Sequence, residues 1–307
     1  MDKIYELIIV GSGPAGLTAG IYASRAEIDT LIIEKNGMSG GQIINTYEVD
    51  NYPGIPGISG FDLATKFREH CDQLGAVFVE GEVSKFDINN GIKTVTLDNG
   101  EIYRCKSLII ATGAVTRKLN IPGEKELSGM GVSYCATCDG AFFKNKITAV
   151  IGGGDVAVED AIFLSRLCRK VYIIHRRDEF RAAKSLVSKV NSIPNIEIVW
   201  DSVVDKIIGT DMVEGVEINH LKDQVSETVQ VDGVFIAVGN MPSSEVYAEY
   251  IKTDESGYIL ANESCETNVE GVYAAGDIRT KPLKQIITAA ADGANSITAV
   301  ERYLNLM

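Results

Sequence analysis

A strand–glycine loop–helix–strand pattern that occurs twice constrains the fold of this chain more than any other feature. In the first copy, the apolar run at 7–10 leads into Gly-Ser-Gly-Pro-Ala-Gly at 11–16, and an alanine-rich stretch leads to the next apolar run at 30–34. In the second copy, the apolar run at 147–151 leads into Gly-Gly-Gly-Asp-Val-Ala at 152–157, again followed by a helix-compatible stretch and an apolar run. Short apolar runs that end in glycine are typical of strands buried on both faces of a parallel sheet. The repeat therefore predicts an α/β chain with two dinucleotide-binding, Rossmann-like domains.

Both glycine loops have the small residues that a pyrophosphate-binding turn requires. One glycine permits the tight turn, another lets the backbone approach the pyrophosphate, and a third small residue lets the helix pack close to the strand. The pyrophosphate then lies at the N-terminus of the helix. We expect the first dinucleotide to contact Gly11, Ser12, Gly13, Pro14, Ala15 and Gly16, and the second to contact Gly152, Gly154, Asp155, Val156 and Ala157.

The two copies differ at the position that reads the adenosine ribose. Glu34 lies 23 positions after the start of the first loop, and the equivalent position after the second loop is His175, followed by Arg176 and Arg177. A carboxylate accepts hydrogen bonds from a free ribose 2′-hydroxyl, whereas arginine binds a 2′-phosphate through charge and bidentate hydrogen bonds. The first copy therefore suits FAD or NAD, and the second suits NADP(H), with Arg181 as a further phosphate contact.

Cys135 and Cys138 form a Cys-x-x-Cys pair between the two loops. Such a pair closes a disulfide with little rearrangement, and its thiolate is reactive where the surroundings lower the thiol pKa. A zinc site would need a second cysteine or histidine pair, and the three histidines stand singly; a chance pair of buried cysteines is the other alternative. Asp139 either shuttles a proton to the pair, if burial raises its pKa, or forms a turn with Gly140.

Composition limits the classes of function. The length of 307 residues suggests two domains, and the net charge of −13 argues against a nucleic-acid partner. No apolar run approaches the ~20 residues that cross a bilayer, and no basic, apolar signal segment opens the chain. We therefore expect a cytoplasmic protein without a membrane partner. In a reducing compartment the remaining cysteines are expected to be small buried core residues, namely Cys71, Cys105, Cys168 and Cys265.

Three further apolar runs end in a glycine turn, at 108–113, 234–239 and 271–277. In this order around two glycine loops, they resemble the flavoproteins that contain two dinucleotide-binding domains, in which the last segment returns to the first domain. The resemblance implies a discontinuous FAD-binding domain at 1–114 and 245–307, and an NADPH-binding domain with the Cys-x-x-Cys pair inserted at 115–244.

Taken together, the motifs resemble those of the low-molecular-weight bacterial thioredoxin reductases over essentially the whole chain. They are Gly-Ser-Gly-Pro-Ala-Gly at 11–16, Gly-Gly-Gln at 40–42, Asn-Tyr-Pro-Gly at 51–54, Cys-Ala-Thr-Cys-Asp-Gly at 135–140, His-Arg-Arg-x-x-Phe-Arg-Ala at 175–182 and Ala-Gly-Asp at 275–277. The resemblance implies a homodimer that holds one FAD per chain, oxidises NADPH and reduces thioredoxin.

The resemblance also implies a role for individual residues. Cys138 would be the sulfur nearest the flavin, Cys135 would attack the thioredoxin disulfide, and Asp139 would be the acid–base group. The residues expected to hold the 2′-phosphate are His175, Arg176, Arg177 and Arg181. Besides the first glycine loop, the residues expected along FAD are Glu34, Lys35, Gly41, Gln42, Asn51, Val83, Thr112, Gly113, Gly276, Asp277, Lys284, Gln285 and Ile286.

A dithiol in the NADPH-binding domain has to meet both a buried flavin and a large protein substrate. The family solves this by rotating the NADPH-binding domain between the two half-reactions, with the two chain crossings as hinges. For this chain the rotation is a hypothesis, and a covalent clamp between the domains that left turnover unchanged would exclude it.

One residue departs from the family pattern and keeps alternatives open. Val156 stands where members commonly have Ser or Thr, whose hydroxyl can bond a pyrophosphate oxygen. Valine cannot make this hydrogen bond, and its absence would weaken NADPH binding by about 1 kcal/mol. Relatives that lack the double arginine accept electrons from ferredoxin or act as FAD-dependent dithiol oxidases. A non-catalytic flavin-binding interaction protein is an alternative of a different class. The arginines at 176 and 177 favour NADPH.

Overall fold

The structure is a computed structural model that describes residues 3–46, 49 and 51–307. The chain forms two compact units. Unit 1 contains residues 1–115 and 241–307, and unit 2 contains residues 116–240, so unit 2 is an insertion in the chain of unit 1. Across the described ranges, none of the helices is both long and apolar enough to cross a lipid bilayer.

The strands are numbered in chain order as β1 (Ile4–Val10), β2 (Thr30–Glu34), β3 (Val77–Glu80), β4 (Val83–Asn89), β5 (Ile92–Leu97), β6 (Ile102–Ile110), β7 (Ala114–Thr116), β8 (Val132–Ser133), β9 (Ile147–Ile151), β10 (Lys170–Ile174), β11 (Ile196–Val199), β12 (Ser202–Gly209), β13 (Val213–His220), β14 (Val225–Gln230), β15 (Gly233–Ile236), β16 (Asn240–Pro242) and β17 (Val272–Ala274). The α-helices are α1 (Pro14–Arg25), α2 (Gly60–Gln73), α3 (Ala136–Asp139), α4 (Asp155–Leu164), α5 (Lys184–Asn191) and α6 (Ile286–Leu304). Short 3₁₀ helices cover Gly41–Asn45, Gly140–Phe143 and Glu245–Tyr247.

The main sheet of unit 1 has the strand order β3-β2-β1-β6-β5-β4, and β17 pairs with β6. β1 pairs in parallel with both β2 and β6, while β4 and β5 form an antiparallel extension. Ile8 and Val10 belong to one buried cluster and Leu7 and Ile9 to the other, because side chains alternate along a strand. Both faces of β1 are therefore covered, as its continuous apolar run predicts.

The two long helices of the first dinucleotide-binding fold pack closely on one face of this sheet. A Cβ at Gly293 of α6 would lie 2.3 Å from the Ala15 carbonyl oxygen of α1, and a Cβ at Gly20 of α1 would lie 2.6 Å from Ile32 Cδ1 of β2. Glycine at these two positions lets α6 approach α1 and lets α1 approach β2.

Unit 2 contains a second parallel sheet, of strand order β11-β10-β9-β15-β8, and an antiparallel sheet of order β12-β13-β14. The α/β fold class with two Rossmann-like parts is thus confirmed. The antiparallel strands of both units were not predicted, because their apolar residues alternate with polar ones and lack a glycine-loop motif. β7 and β16 pair with each other, and the boundary between the two units falls within each of these strands.

Candidate active site

The first glycine loop joins β1 to α1 in unit 1. Gly11 has a φ of 100°, and a Cβ at Gly16 would lie 1.9 Å from the Gly11 carbonyl oxygen, so only glycine fits at position 16. Pro14 occupies the first turn of α1, and among the described residues no side chain caps that turn. The N-terminal N–H groups of α1 are therefore available to an anionic pyrophosphate.

Glu34 ends β2 beside this loop and is buried. Its Oε2 accepts hydrogen bonds from Ser12 N at 2.8 Å and from Ser12 Oγ at 2.6 Å, and its Oε1 accepts one from Asn36 N at 3.0 Å. The structure therefore brings together Ser12 and Glu34, two of the residues predicted along FAD. The neighbouring Lys35 is exposed and lies 3.6 Å from Glu82 Oε1.

The Ala-Gly-Asp segment follows β17 and reaches the same loop. A Cβ at Gly276 would lie 2.9 Å from the Ala15 Cβ, and Gly276 has a φ of 82°. Asp277 has one buried carboxyl oxygen, Oδ1, with no hydrogen-bond partner among the described residues. Burial raises the pKa of Asp277, and the charges of Lys284 and Lys281 oppose that rise. A buried polar atom without a partner fits a group that a bound dinucleotide would supply.

Other residues predicted along FAD lie in unit 1 with partners of their own. Asn51 Nδ2 donates to Gln285 Oε1 at 2.9 Å, Gln42 Nε2 donates to the Ala114 carbonyl, and Thr112 Oγ1 donates to Ser243 O at 2.8 Å. A Cβ at Gly113 would meet nothing within 4 Å, and Gly113 has a φ of 67°. Gly41 begins a 3₁₀ helix that follows Gly40, and a Cβ there would lie 3.3 Å from the Gly13 Cα.

Three further residues that were predicted along FAD, namely Lys284, Ile286 and Val83, lie in different surroundings. Lys284 Nζ lies 3.0 Å from the ring centroid of Tyr258, and burial lowers the Lys284 pKa to about 8. Ile286 is the first residue of α6. The Val83 side chain packs in the core of unit 1, so only its main chain is left to contact a ligand.

The second glycine loop joins β9 to α4 in unit 2. Gly152 has a φ of 152°, and a Cβ there would lie 2.3 Å from the Ala237 carbonyl oxygen and 2.8 Å from the Ala157 Cβ. A Cβ at Gly154 would meet nothing within 4 Å. Val156 is exposed in the first turn of α4, with 60% of its surface accessible. The loop therefore makes the close contacts that are typical of a dinucleotide-binding turn. The apolar side chain of Val156 is exposed beside it.

The segment 175–182, here called the arginine segment, lies against this loop. Arg181 N donates to the Gly153 carbonyl at 2.7 Å, and Asp155 Oδ1 accepts a hydrogen bond from Ala183 N at 2.7 Å. Arg176 and Arg181 are exposed and Arg177 is half-buried. In the described part of the chain none of these three guanidinium groups forms an ion pair, so their positive charge is uncompensated beside the loop.

His175 is buried below the second glycine loop. A Cβ at Gly153 would lie 2.2 Å from its ring, and its Nε2 lies 3.1 Å from the Glu179 carbonyl oxygen. Burial lowers the pKa of His175, and the three neighbouring arginines lower it further. The ring is therefore neutral near pH 7 and packs against the loop from inside the unit.

The dithiol forms a closed disulfide between Cys135 and Cys138 in unit 2. α3 begins directly after Cys135, and the Asp139 N–H donates to the Cys135 carbonyl at 3.1 Å. A Cβ at Gly140, directly after α3, would lie 3.0 Å from the ring of Phe163 in α4, so the end of the short helix packs closely against α4. The pair is thus closed as a disulfide, which the redox interpretation requires and zinc ligation by the same two thiolates does not allow.

Asp139 lies beside the disulfide with one hydroxyl partner that the sequence did not reveal. Ser133 Oγ donates to Asp139 Oδ2 at 2.6 Å and accepts a hydrogen bond from Cys135 N at 3.1 Å. Burial raises the pKa of Asp139, and the Ser133 hydroxyl lowers it in part. A second hydroxyl, Thr137 Oγ1, lies 3.4 Å from Cys135 Sγ. In the sequence, the feature that could have identified Ser133 is its position two residues before the dithiol, at the end of strand β8.

A buried ionic cluster supports the Ala-Gly-Asp segment in unit 1. Asp292 Oδ2 accepts hydrogen bonds from Gly276 N at 2.9 Å, Arg279 Nε at 2.9 Å and Lys281 Nζ at 2.7 Å, and Asp292 Oδ1 accepts one from Arg279 Nη2 at 2.8 Å. Burial alone would raise the Asp292 pKa, but the hydrogen bonds from Arg279 and Lys281 outweigh it and lower the pKa. This cluster was not predicted from the sequence, although Asp292 shares a helix face with the small residues Ala289, Gly293 and Ser296.

The four single cysteines are buried and free, as predicted: Cys71, Cys105, Cys168 and Cys265. Burial raises the thiol pKa of each of them. None is therefore a reactive thiolate near neutral pH.

Comparison with known proteins agrees with this geometry. Residues 5–293 match the family of pyridine nucleotide-disulphide oxidoreductases. The chain is 45% identical to the thioredoxin reductase of Listeria monocytogenes, over 99% of this chain and 95% of that protein.

Solved structures agree as well. The thioredoxin reductase of Streptococcus pyogenes superposes with a TM-score of 0.92 at 41% identity, covering 100% of both chains. That of Lactococcus lactis, in a form described as the FR conformation, superposes with a TM-score of 0.70 at 40% identity, covering 99% of this chain and all of that one. The chain therefore belongs to the pyridine nucleotide-disulphide oxidoreductase family and, within it, to the thioredoxin reductases.

Proposed function

We propose that this chain transfers electrons from NADPH, by way of FAD, to the Cys135–Cys138 disulfide and then to the disulfide of a thioredoxin. The observation that carries the proposal is a closed disulfide beside a half-buried carboxyl, in the same compact unit as a glycine loop that is flanked by three arginines. Thioredoxin reductases use FAD and NADPH, which suits the two glycine loops. An electron supply from ferredoxin or a reaction with oxygen is not favoured by the relatives.

Each cofactor has a set of residues in one unit that would hold it. In unit 1, the first glycine loop and the N-terminus of α1 would bind the FAD pyrophosphate, Glu34 the ribose, and Asp277 Oδ1 a hydroxyl of the flavin chain. In unit 2, the second glycine loop would bind the NADPH pyrophosphate and Arg176, Arg177 and Arg181 its 2′-phosphate. FAD, when bound, supplies a two-electron carrier between NADPH and the disulfide.

Asp139 would move protons at the dithiol. Reduction of the disulfide takes two electrons, breaks the Sγ–Sγ bond and needs two protons to give two thiols. A carboxyl whose pKa burial has raised keeps its proton to a higher pH, and so can give it to the departing thiolate. The second proton comes from solvent.

The Ser133 hydroxyl should set the pH at which Asp139 acts. Ser133→Ala removes a donor to the carboxylate and is expected to raise the Asp139 pKa further, because the lost hydrogen bond stabilises the charged form. The alkaline limb of the rate of thioredoxin reduction then moves upward in pH. The measurement is that rate between pH 6 and 9, with Ser133→Thr, which keeps the hydroxyl, as the control. An alkaline limb that stays in place in Ser133→Ala would contradict this role.

The reduced dithiol then exchanges with the substrate. The Cys135 thiolate attacks the thioredoxin disulfide to form a mixed disulfide, and the Cys138 thiolate attacks Cys135 Sγ to release reduced thioredoxin.

The proposal places the reaction in the cytoplasm and in a homodimer, and it includes rotation of unit 2 between the half-reactions. Rotation would let one disulfide meet the flavin and the thioredoxin disulfide in turn.

Anaerobic titration of the purified protein with NADPH tests the proposal. The flavin absorbance is expected to bleach as NADPH is added, with its end point near two equivalents because the FAD and the disulfide each take two electrons, and to bleach far less with equal NADH. No bleaching by NADPH, in a protein whose flavin dithionite still reduces, would contradict the coenzyme assignment. Val156 would then be the first residue to replace, with Ser, because it is exposed where the pyrophosphate is expected.

A further inference from the structure

The only tryptophan of the sequence, Trp200, lies beside the arginine segment. Its ring centroid is 4.5 Å from that of Phe180 and 6.1 Å from that of His175, and the His175 and Phe180 rings are 5.8 Å apart. Phe180 directly precedes Arg181, and His175 directly precedes Arg176 and Arg177. The three rings therefore form one cluster between the two ends of the segment that carries the arginines.

Main-chain hydrogen bonds connect the residues around Trp200 to the same segment. His175 N donates to Val199 O at 3.0 Å, Ser202 N donates to His175 O at 3.0 Å, and Asp201 N donates to Arg177 O at 3.2 Å. The turn that carries Trp200 thus runs alongside residues 175–177 and fixes their main chain. The indole packs against Phe180, at the far end of the segment.

The other side of the cluster meets the second glycine loop. The His175 ring packs against Gly153, and Arg181 N donates to the Gly153 carbonyl at 2.7 Å. The His175 ring consequently lies between Trp200 and the loop. A change in the indole would alter the distance between the arginines and the loop that receives the pyrophosphate.

We propose that Trp200 is a positioning residue for coenzyme choice: it holds the arginine segment where its guanidinium groups meet a 2′-phosphate, and so sets the preference for NADPH over NADH. The proposal rests on the function proposed above, since it requires NADPH to bind at this loop. An arginine has a long flexible side chain, and bidentate contact with a phosphate requires its backbone to be held within a fraction of an ångström. Trp200 is half-buried, so its truncation opens the ring cluster to water without leaving a sealed cavity.

The test compares coenzyme kinetics in Trp200→Ala and Trp200→Phe. Trp200→Ala is expected to raise KM for NADPH about tenfold, the size of a lost aromatic packing contact, with kcat and the KM for NADH unchanged. Trp200→Phe is expected to recover most of the affinity. The control is Tyr172→Ala, which removes a half-buried ring from the opposite face of β10 and should leave the NADPH-to-NADH ratio unchanged.

The outcomes separate this proposal from the function on which it rests. If the wild-type protein shows no preference for NADPH, the proposed coenzyme site is wrong. If the wild-type protein prefers NADPH and Trp200→Ala keeps the same ratio, or changes both coenzymes equally, only the role of Trp200 is wrong.

Tryptophan fluorescence gives a second readout that needs no variant. Adenosine 2′,5′-bisphosphate, which has the 2′-phosphate but no nicotinamide, should change the emission of Trp200 in a saturable way in the FAD-loaded protein. Adenosine 5′-monophosphate at equal occupancy, measured by calorimetry, should change it much less. Equal responses to both nucleotides, or no response to either at saturation, would overturn the proposal.

Discussion

Cys138→Ser is expected to abolish thioredoxin reduction, by at least about a thousandfold, while FAD stays bound and NADPH still bleaches it. The disulfide is the only one in the described residues, and the other four cysteines are buried thiols with raised pKa values. A serine hydroxyl cannot form the disulfide that accepts electrons from the flavin. Steady-state turnover with oxidised thioredoxin, alongside flavin absorbance under anaerobic NADPH, measures both halves of the prediction.

The matched control is Cys168→Ser, the same chemical change at a buried cysteine of unit 2, which should keep turnover. The two dithiol cysteines can also be told apart. Cys138→Ser leaves Cys135 as a free thiol, which should trap thioredoxin as a mixed disulfide, whereas Cys135→Ser should not. Trapping by Cys135→Ser and not by Cys138→Ser would reverse the roles assigned to the two sulfurs. Turnover that survived Cys138→Ser would exclude the relay.

Asp292→Asn should lower the free energy of unfolding by about 3 kcal/mol and weaken FAD binding, because it leaves two buried cations without their carboxylate. Arg279 and Asp292 are 4% and 3% exposed, so water does not replace the lost partner. The same carboxylate accepts the Gly276 N–H, next to the residue whose free carboxyl oxygen is expected to meet FAD. Urea unfolding followed by circular dichroism, and the dissociation constant for FAD of the apoprotein, measure the two effects.

The effect of Asp292 should depend on pH in a direction that its lowered pKa defines. A carboxyl with a folded pKa below the unfolded value of about 3.9 stabilises the fold above that pH and loses this contribution as the pH falls through the folded pKa. The difference between wild type and Asp292→Asn should therefore be full at pH 7 and should shrink below about pH 4. Asp29→Asn, which breaks an ion pair whose side chains are 57% and 46% exposed, is the control and should leave the unfolding curve in place. An Asp292→Asn curve that superposes on wild type at pH 7 would refute the role of the cluster.

The sequence was sufficient where function depends on local chain geometry. The tight turn at Gly11 and Gly152, the buried strands that precede them and the short Cys-x-x-Cys loop each need particular residues within a few positions of one another. These requirements appear as motifs, so the fold class, the two cofactors, the redox pair and the family could all be predicted. The carboxylate at 34 and the arginines at 176 and 177 could be predicted for the same reason, since one helix and one strand separate them from their glycine loops.

Tertiary structure decided what surrounds those motifs, because contacts between distant positions leave no local pattern. Ser133 beside Asp139 tunes the pKa of that carboxyl, and Asp292 reaches Gly276 from the next helix. Trp200 meets Phe180 only because β11 and β10 pair in parallel. His175 stands in the sequence at the position of a phosphate contact, yet its ring is buried below Gly153 with a lowered pKa. Charge and burial depend on packing in three dimensions, so local motifs indicate which chemistry this protein performs, whereas the neighbours that adjust that chemistry become apparent only in the folded chain.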